Sequence, residues 1–123
     1  MGVNLTAETG FIAFARAVFT LRDQRESLIA SNIANADTPG YKAVDINFQK
    51  AFARAMAGAD ENVAAPVEFV TRFPARLDGN DVSSTAEKLE SLQNVAAMNA
   101  ETEFLHQDTS NLITALRPNP NGI

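Results

Sequence analysis

Among 123 residues there is a single histidine, His106, and no cysteine, so the side chains that bind transition metals or act as activated nucleophiles are nearly missing. With no thiolate and one imidazole, a zinc or copper site would have to be assembled from carboxylates, which suit other ions. His106 reads as a polar residue flanking Leu105. A serine hydrolase would need His106 as its base, yet no Gly-x-Ser-x-Gly elbow accompanies it, and each serine fits a cap, helix or turn. Asp78-Gly79-Asn80-Asp81 has a superficial likeness to a calcium loop. It lacks the alternating Asp/Asn ligands before a glycine and the bidentate glutamate that closes such a loop, so it reads as a turn. Glu101 and Glu103 stand two apart on a helix and project in different directions. They cannot face one another as acid and base, and are expected on a solvated or subunit-facing acidic edge. There is no glycine-rich phosphate loop. The expectation is therefore no enzyme, no cofactor and no metal site.

The bulk properties narrow the class further. Net charge is −5, with the acidic excess in the second half of the chain and no cluster of Lys and Arg, which argues against nucleic acid as a partner. No apolar run approaches the length of a membrane span, so direct membrane insertion is not expected. The N-terminus shows no basic region followed by an apolar stretch and a small-residue cleavage site. A soluble chain is expected, leaving the cytoplasm, if it does, by a route that does not read such a signal. A cysteine-free chain tolerates reducing and oxidising compartments equally.

What the residues position is a corner between rods. Thr38-Pro39-Gly40-Tyr41 ends a helical stretch abruptly: Pro39 has no N–H and pushes Thr38 out of the helical region, and Gly40 can take the positive φ that a type II turn requires at its third position. Before it, a helix is predicted from about Thr6 to Asp37, with Phe11, Phe14, Val18, Leu21, Arg25, Leu28, Asn32 and Asn35 alternating threes and fours in one heptad frame. Arg25 and the two asparagines sit where a globular core would prefer Leu or Ile, and polar residues at a helix seam fix register and partner. A second long helix is predicted from about Thr85 to Arg117, opened by a capping box with Ser84 as cap and Glu87 reaching back. Its stripe is Val95, Met98, Thr102, Leu105, Thr109, Leu112 and Leu116, and Pro118 stops it. At 1.5 Å per residue each rod is roughly 45 Å long.

Between the rods, Asp45 to Ala57 reads as a short helix, 58 to 62 as a polar loop, Val67 to Phe73 as a short extended piece, and Asp78-Gly79-Asn80 as a turn, with room for one strand or hairpin. The fold class expected is mainly α: two long terminal helices pairing as an antiparallel, coiled-coil-like hairpin, with a short helix and a small loop or β-hairpin connector. It is one structural domain in three segments: 1–42, the N-terminal helix and turn; 43–83, the connector; 84–123, the C-terminal helix and tail.

Asn32, Asn35, Thr38, Pro39, Gly40 and Tyr41 follow an Asn-x-x-Asn-x-x-Thr-Pro-Gly-Tyr pattern that resembles the signature of the bacterial flagellar axial proteins, the rod, hook and hook-junction subunits. Within them, Ala34 to Ala43 followed by Asp45 and Phe48, together with Leu77-Asp78-Gly79-Asn80-Asp81-Val82, is most similar to the proximal-rod subunits. Longer members carry β-rich inserts for which there is no room between Lys42 and Ser84. The resemblance implies a structural protein of the basal body, exported by the flagellar type III apparatus to the periplasmic rod. Its terminal helices would pack on neighbouring subunits to line a hollow axial tube. The partners implied are copies of itself, other rod proteins, and components of the membrane ring and export gate. The candidate assembly interface is Phe11, Phe14, Val18, Leu21, Arg25, Leu28, Asn32, Asn35, Val95, Met98, Leu105, Leu112 and Leu116, with Thr38, Pro39, Gly40 and Tyr41 as the turn. Residues 56–74 match no motif. Another type of proximal-rod protein, a soluble helical adaptor or chaperone of the export system, and an enzyme acting on peptidoglycan are the competing readings; the last would need an acidic residue recessed in a groove.

Overall fold

In a computed structural model, which describes residues 5–58 and 64–117 with side chains from residue 10 onward, the chain runs through α1 (Leu5–Ala34), β1 (Val44–Ile46), α2 (Phe48–Met56), β2 (Val67–Phe69) and α3 (Ser84–Leu116). The expected 59–62 part of the polar loop and the 118–123 tail lie outside the described residues. The mainly α class and the two long terminal helices are as the sequence implies. They pair antiparallel, since Phe11 meets Phe104, Arg22 meets Glu101, Arg25 meets Glu90 and Asn32 meets Glu87.

α1 is rich in alanine and straight-chain residues, which favour helix, and carries no proline. It ends three residues earlier than expected. Asn35 N–H still bonds Ser31 O but also Asn32 O, Ala36 N–H takes Ile33 O, and Thr38 N–H takes Asn35 O, so the helix tightens through successive turns before the proline. Asn35 is therefore not a seam residue of α1. Its side chain donates to Ser31 O and accepts from the Thr38 hydroxyl, sealing the helix end. The buried apolar core is small: Ala17, Val18, Leu21 and Ile29 from α1, Ala43 and Ile46 around β1, Ala55 from α2 and Val82 before α3. α2 lies on α1 through Phe52, edge-on to Phe14 at 5.3 Å between ring centroids and 6.0 Å from Phe48.

Three further expectations are corrected. The short helix does not include Asp45. That residue is in β1, and α2 begins after Asn47, whose side chain caps Lys50 N–H. The extended piece is a strand of Val67–Phe69 and stops short of Phe73; of the strand or hairpin for which there is room, it is the single strand, and β2 pairs antiparallel with β1 across the intervening α2, Val44 opposite Phe69 and Ile46 opposite Val67. α3 is capped by Ser83, not Ser84: Ser83 Oγ accepts from Ala86 N–H at 3.3 Å, and Glu87 is turned inward instead of back.

Candidate assembly junction

The face that α3 turns to α1 steps by sevens through Glu87, Asn94 and Glu101, and through Ser91, Met98, Leu105 and Leu112. Glu87 and Asn94 are each 1% exposed, the others half-buried. Val95, one residue off this seam, is 40% exposed and Leu116 is 60% exposed. The upper half of the seam is polar, which the apolar stripe in the sequence concealed.

On α1, Val18, Leu21 and Asn32 are buried inside the subunit, whereas Phe11, Phe14, Arg25, Leu28 and Asn35 are half-buried. Arg22, not singled out from the sequence, is a hub. Its guanidinium lies 4.0 Å from the Phe48 ring centroid, donates to Glu101 Oε1 at 3.0 Å and reaches Asn94 Oδ1. Glu101 is thus paired inside the hairpin, while Glu103 is exposed. Asn94 returns two bonds, to Arg22 O and Glu26 Oε2, each 3.0 Å.

At the corner, the connector enters a charged cluster. Arg25 bonds Asp45 at 3.3 Å and Glu90 at 2.7 Å; Arg72 bonds Glu87 at 2.6 Å and also Asp45. Asp45 and Glu87 side chains are only 3% and 2% exposed; Asp45 has two arginines, but removing Arg72 would leave the Glu87 carboxylate buried with no cation, a loss of about 3–5 kcal/mol for such pairs. Asn32, fully buried, joins this cluster to the turn. Its Nδ2 donates to Glu87 Oε2 and Val44 O; its Oδ1 accepts from Val44 N–H and the Tyr41 hydroxyl. An asparagine is the residue that can meet both the N–H and the C=O of one strand residue while using its remaining valences on a carboxylate and a phenol. Helix α1, strand β1, the turn and α3 meet at this one side chain.

The turn itself is closed by Tyr41 N–H to Thr38 O at 3.2 Å, with Gly40 third at φ 75°, as type II requires. It docks on the 76–82 loop. Gly40 N–H donates to Asp78 O at 2.8 Å, Asp81 N–H to Tyr41 O, and Ala43 N–H to Asp81 Oδ1 at 2.6 Å. Asn80, also fully buried, donates from Nδ2 to Asn35 O and Thr38 O, while Arg76 donates to Ala36 O and Val82 O. These groups satisfy carbonyls that α1 leaves open as it ends. Gly79, at φ 84°, lies so close that a Cβ there would stand 3.4 Å from Gly40 Cα. The two sequence motifs, 38–41 and 77–82, are therefore one interlocked corner. Among the described residues no group of His, Cys, Asp or Glu is placed to hold a metal ion, and no helix is long and apolar enough to cross a membrane.

Residues 20–42 match the model of the family described as Flagella basal body rod protein. The chain is similar to the flagellar basal body rod protein FlgB of Aeromonas hydrophila, at 32% identity over 95% of this chain and 98% of that one. It is similar to the FlgB of Cereibacter sphaeroides, at 34% identity over 79% of this chain and 86% of the relative. The FlgB of Salmonella typhimurium is 34% identical over 68% of this chain and 75% of its own.

Proposed function

The chain belongs to the FlgB family of flagellar basal body rod proteins, and from that premise we propose that it is a structural subunit of the proximal rod, polymerising through its terminal helices into the drive shaft and export channel. Its role is mechanical rather than catalytic. Its partners are copies of itself, other rod proteins and the adjoining membrane-ring and export-gate components, and it reaches the rod through the flagellar type III apparatus. The observation that carries this reading is the apolar surface left along α3. Leu89, Leu92, Val95, Ile113 and Leu116 are each at least 40% exposed, from the first turns of the helix to its last. The seam with α1 runs through Glu87, Ser91, Asn94, Met98, Glu101, Leu105 and Leu112 and leaves these residues outside it, so a large share of the apolar side chains of α3 has little cover within the subunit. Exposed apolar surface on that scale marks an interaction face, and each such side chain covered by a neighbour contributes about 1.5–3 kcal/mol. A subunit whose interior is locked by hydrogen bonds and ion pairs, and whose outer helix face is apolar, suits a rod built by packing rigid units head to tail.

The test is Leu92→Asp, at a position 68% exposed. It should leave the helical circular dichroism and the unfolding midpoint near wild type while the protein disappears from purified basal bodies and the cells lose motility. Normal incorporation of this variant, or absence of the wild-type chain from basal bodies, would overturn the reading.

A further inference from the structure

The two-stranded sheet has two outer edges, and side chains occupy most of one of them. Val70 N–H donates to Ala43 O, so Ala43 and Val70 form a hydrogen-bonded position of the ladder, and in an antiparallel pair such positions alternate. Asp45 and Glu68 therefore face each other through their backbones, whereas the N–H and C=O groups of Val44, Ile46, Val67 and Phe69 point away from the partner strand. On the β1 side three of these outward groups are met. Asn32 takes both the N–H and the C=O of Val44, and Ile46 N–H bonds Asp45 Oδ1. Just ahead of β2, Gln24 does for Ala65 what Asn32 does for Val44: Ala65 N–H donates to Gln24 Oε1 at 2.9 Å, and Gln24 Nε2 donates to Ala65 O at 2.7 Å. Side-chain amides thus stand in for strands at both places.

Val67 and Phe69 have no such substitute among the described residues, and their side chains are 52% and 77% exposed. Unpaired outward backbone groups on a strand whose side chains are apolar and exposed make a template for strand addition. We infer that the outer edge of β2 receives an extended segment of a neighbouring chain, one with a basic residue between apolar ones. The inference rests on the rod reading, and deepens it by naming the chemistry of one contact.

Charge selects the occupant. Glu68 is exposed and makes no ion pair among the described residues, while its cross-strand neighbour Asp45 bonds both arginines of the corner. A second copy pairing β2 with β2, antiparallel and centred on Glu68, would set the two Glu68 carboxylates directly opposite at a closely spaced position, which is destabilising. A strand bearing Lys or Arg opposite Glu68 neutralises it, and apolar residues on either side of that cation would lie over Val67 and Phe69.

Phe69→Pro tests the backbone contribution, because it removes an N–H that the β1–β2 ladder does not use and proline is tolerated on edge strands. Incorporation into basal bodies should fall about fivefold to tenfold, the effect of losing one interface hydrogen bond and its geometry. Glu68 and Val70 amides should keep their slow hydrogen exchange, showing that the sheet is intact. Glu68→Lys should lower incorporation to a similar extent and Glu68→Gln less. A photo-cross-linking phenylalanine analogue at position 69 reports the occupant: attachment to an extended, Lys- or Arg-bearing segment of a neighbouring chain is the result expected. Wild-type incorporation of both Phe69→Pro and Glu68→Lys, or cross-links confined to helices or to β2 of another copy, would overturn the inference. Either result leaves the rod reading standing, because that reading is judged by whether the wild-type chain is found in basal bodies at all.

Discussion

Gly40→Val places a β-branched residue at φ 75°, and its cost can be worked from the surroundings. A Cβ added at Gly40 meets nothing within 4 Å, so the penalty is conformational and not a clash. An L-residue in the left-handed region loses about 1–2 kcal/mol, and a β-branched one on the order of 3 kcal/mol. Rotating out of that region relieves the strain but breaks the 2.8 Å bond from Gly40 N–H to Asp78 O and draws Thr38 O away from Asn80, each worth about 1 kcal/mol. By either path Gly40→Val should destabilise by about 2–3 kcal/mol. That is a fall in the urea midpoint on the order of 1–2 M if the slope is unchanged. Gly40→Asn, which tolerates positive φ, should lose well under about half of that. Gly10, helical and also with nothing within 4 Å of an added Cβ, should respond in the opposite sense: Gly10→Ala gains about 1 kcal/mol from helix propensity. The measurements are urea unfolding by circular dichroism and the amount of each variant in purified basal bodies. A Gly40→Val midpoint equal to wild type, or equal losses for Val and Asn, would refute the assignment of this turn as a positive-φ corner.

Other residues give separate tests. Glu87→Ala takes from Arg72 one of its carboxylate partners and from the Asn32 amide one of its two acceptors, leaving Asp45 and Val44 O in place, and should destabilise by about 1–3 kcal/mol, with Glu87→Gln retaining much of the stability; thermal unfolding decides, and a loss within experimental scatter for Ala would show the cluster to be idle. Ser83→Ala should lower stability by about 1 kcal/mol as the loss of a helix cap, while Ser84→Ala should be near neutral, so a reversed ranking in urea melts would restore the sequence-based cap. In hydrogen exchange on the monomer, amides of 17–33 and 84–94, which surround the buried core and the charged corner, should be the slowest. Those of 103–116 should open readily, because few buried side chains anchor that half of α3; uniform protection along α3 would contradict this.

The long helices, the type II turn at Thr38-Pro39-Gly40-Tyr41 and the antiparallel pairing were legible in the sequence because they depend on local facts: helix formers in long runs, a proline that cannot continue a helix, a glycine that can take positive φ, and a connector too short to separate the rods. The family was legible for the same reason, since its signature is that turn. Burial of Val18, Leu21 and Asn32 follows from the spacing of α1. What the sequence left undetermined depends on long-range partners. Asp45 looks like the first turn of a helix until Arg25 and Arg72 converge on it from residues 20 and 27 positions away. β1 and β2 are three residues each, too short to show a period, and pair across an intervening helix. Ser83 and Ser84 are equal as caps by type, and the direction in which the chain leaves Val82 chooses between them. On α3, apolar periodicity pointed to Val95, yet the seam runs through Asn94. The side that faces α1 was decided by Arg22, Arg25 and Asn32, whose buried polar groups require acceptors and donors opposite them, and that requirement outweighs covering another leucine or valine. Leu89, Leu92 and Val95 are left outside for this reason.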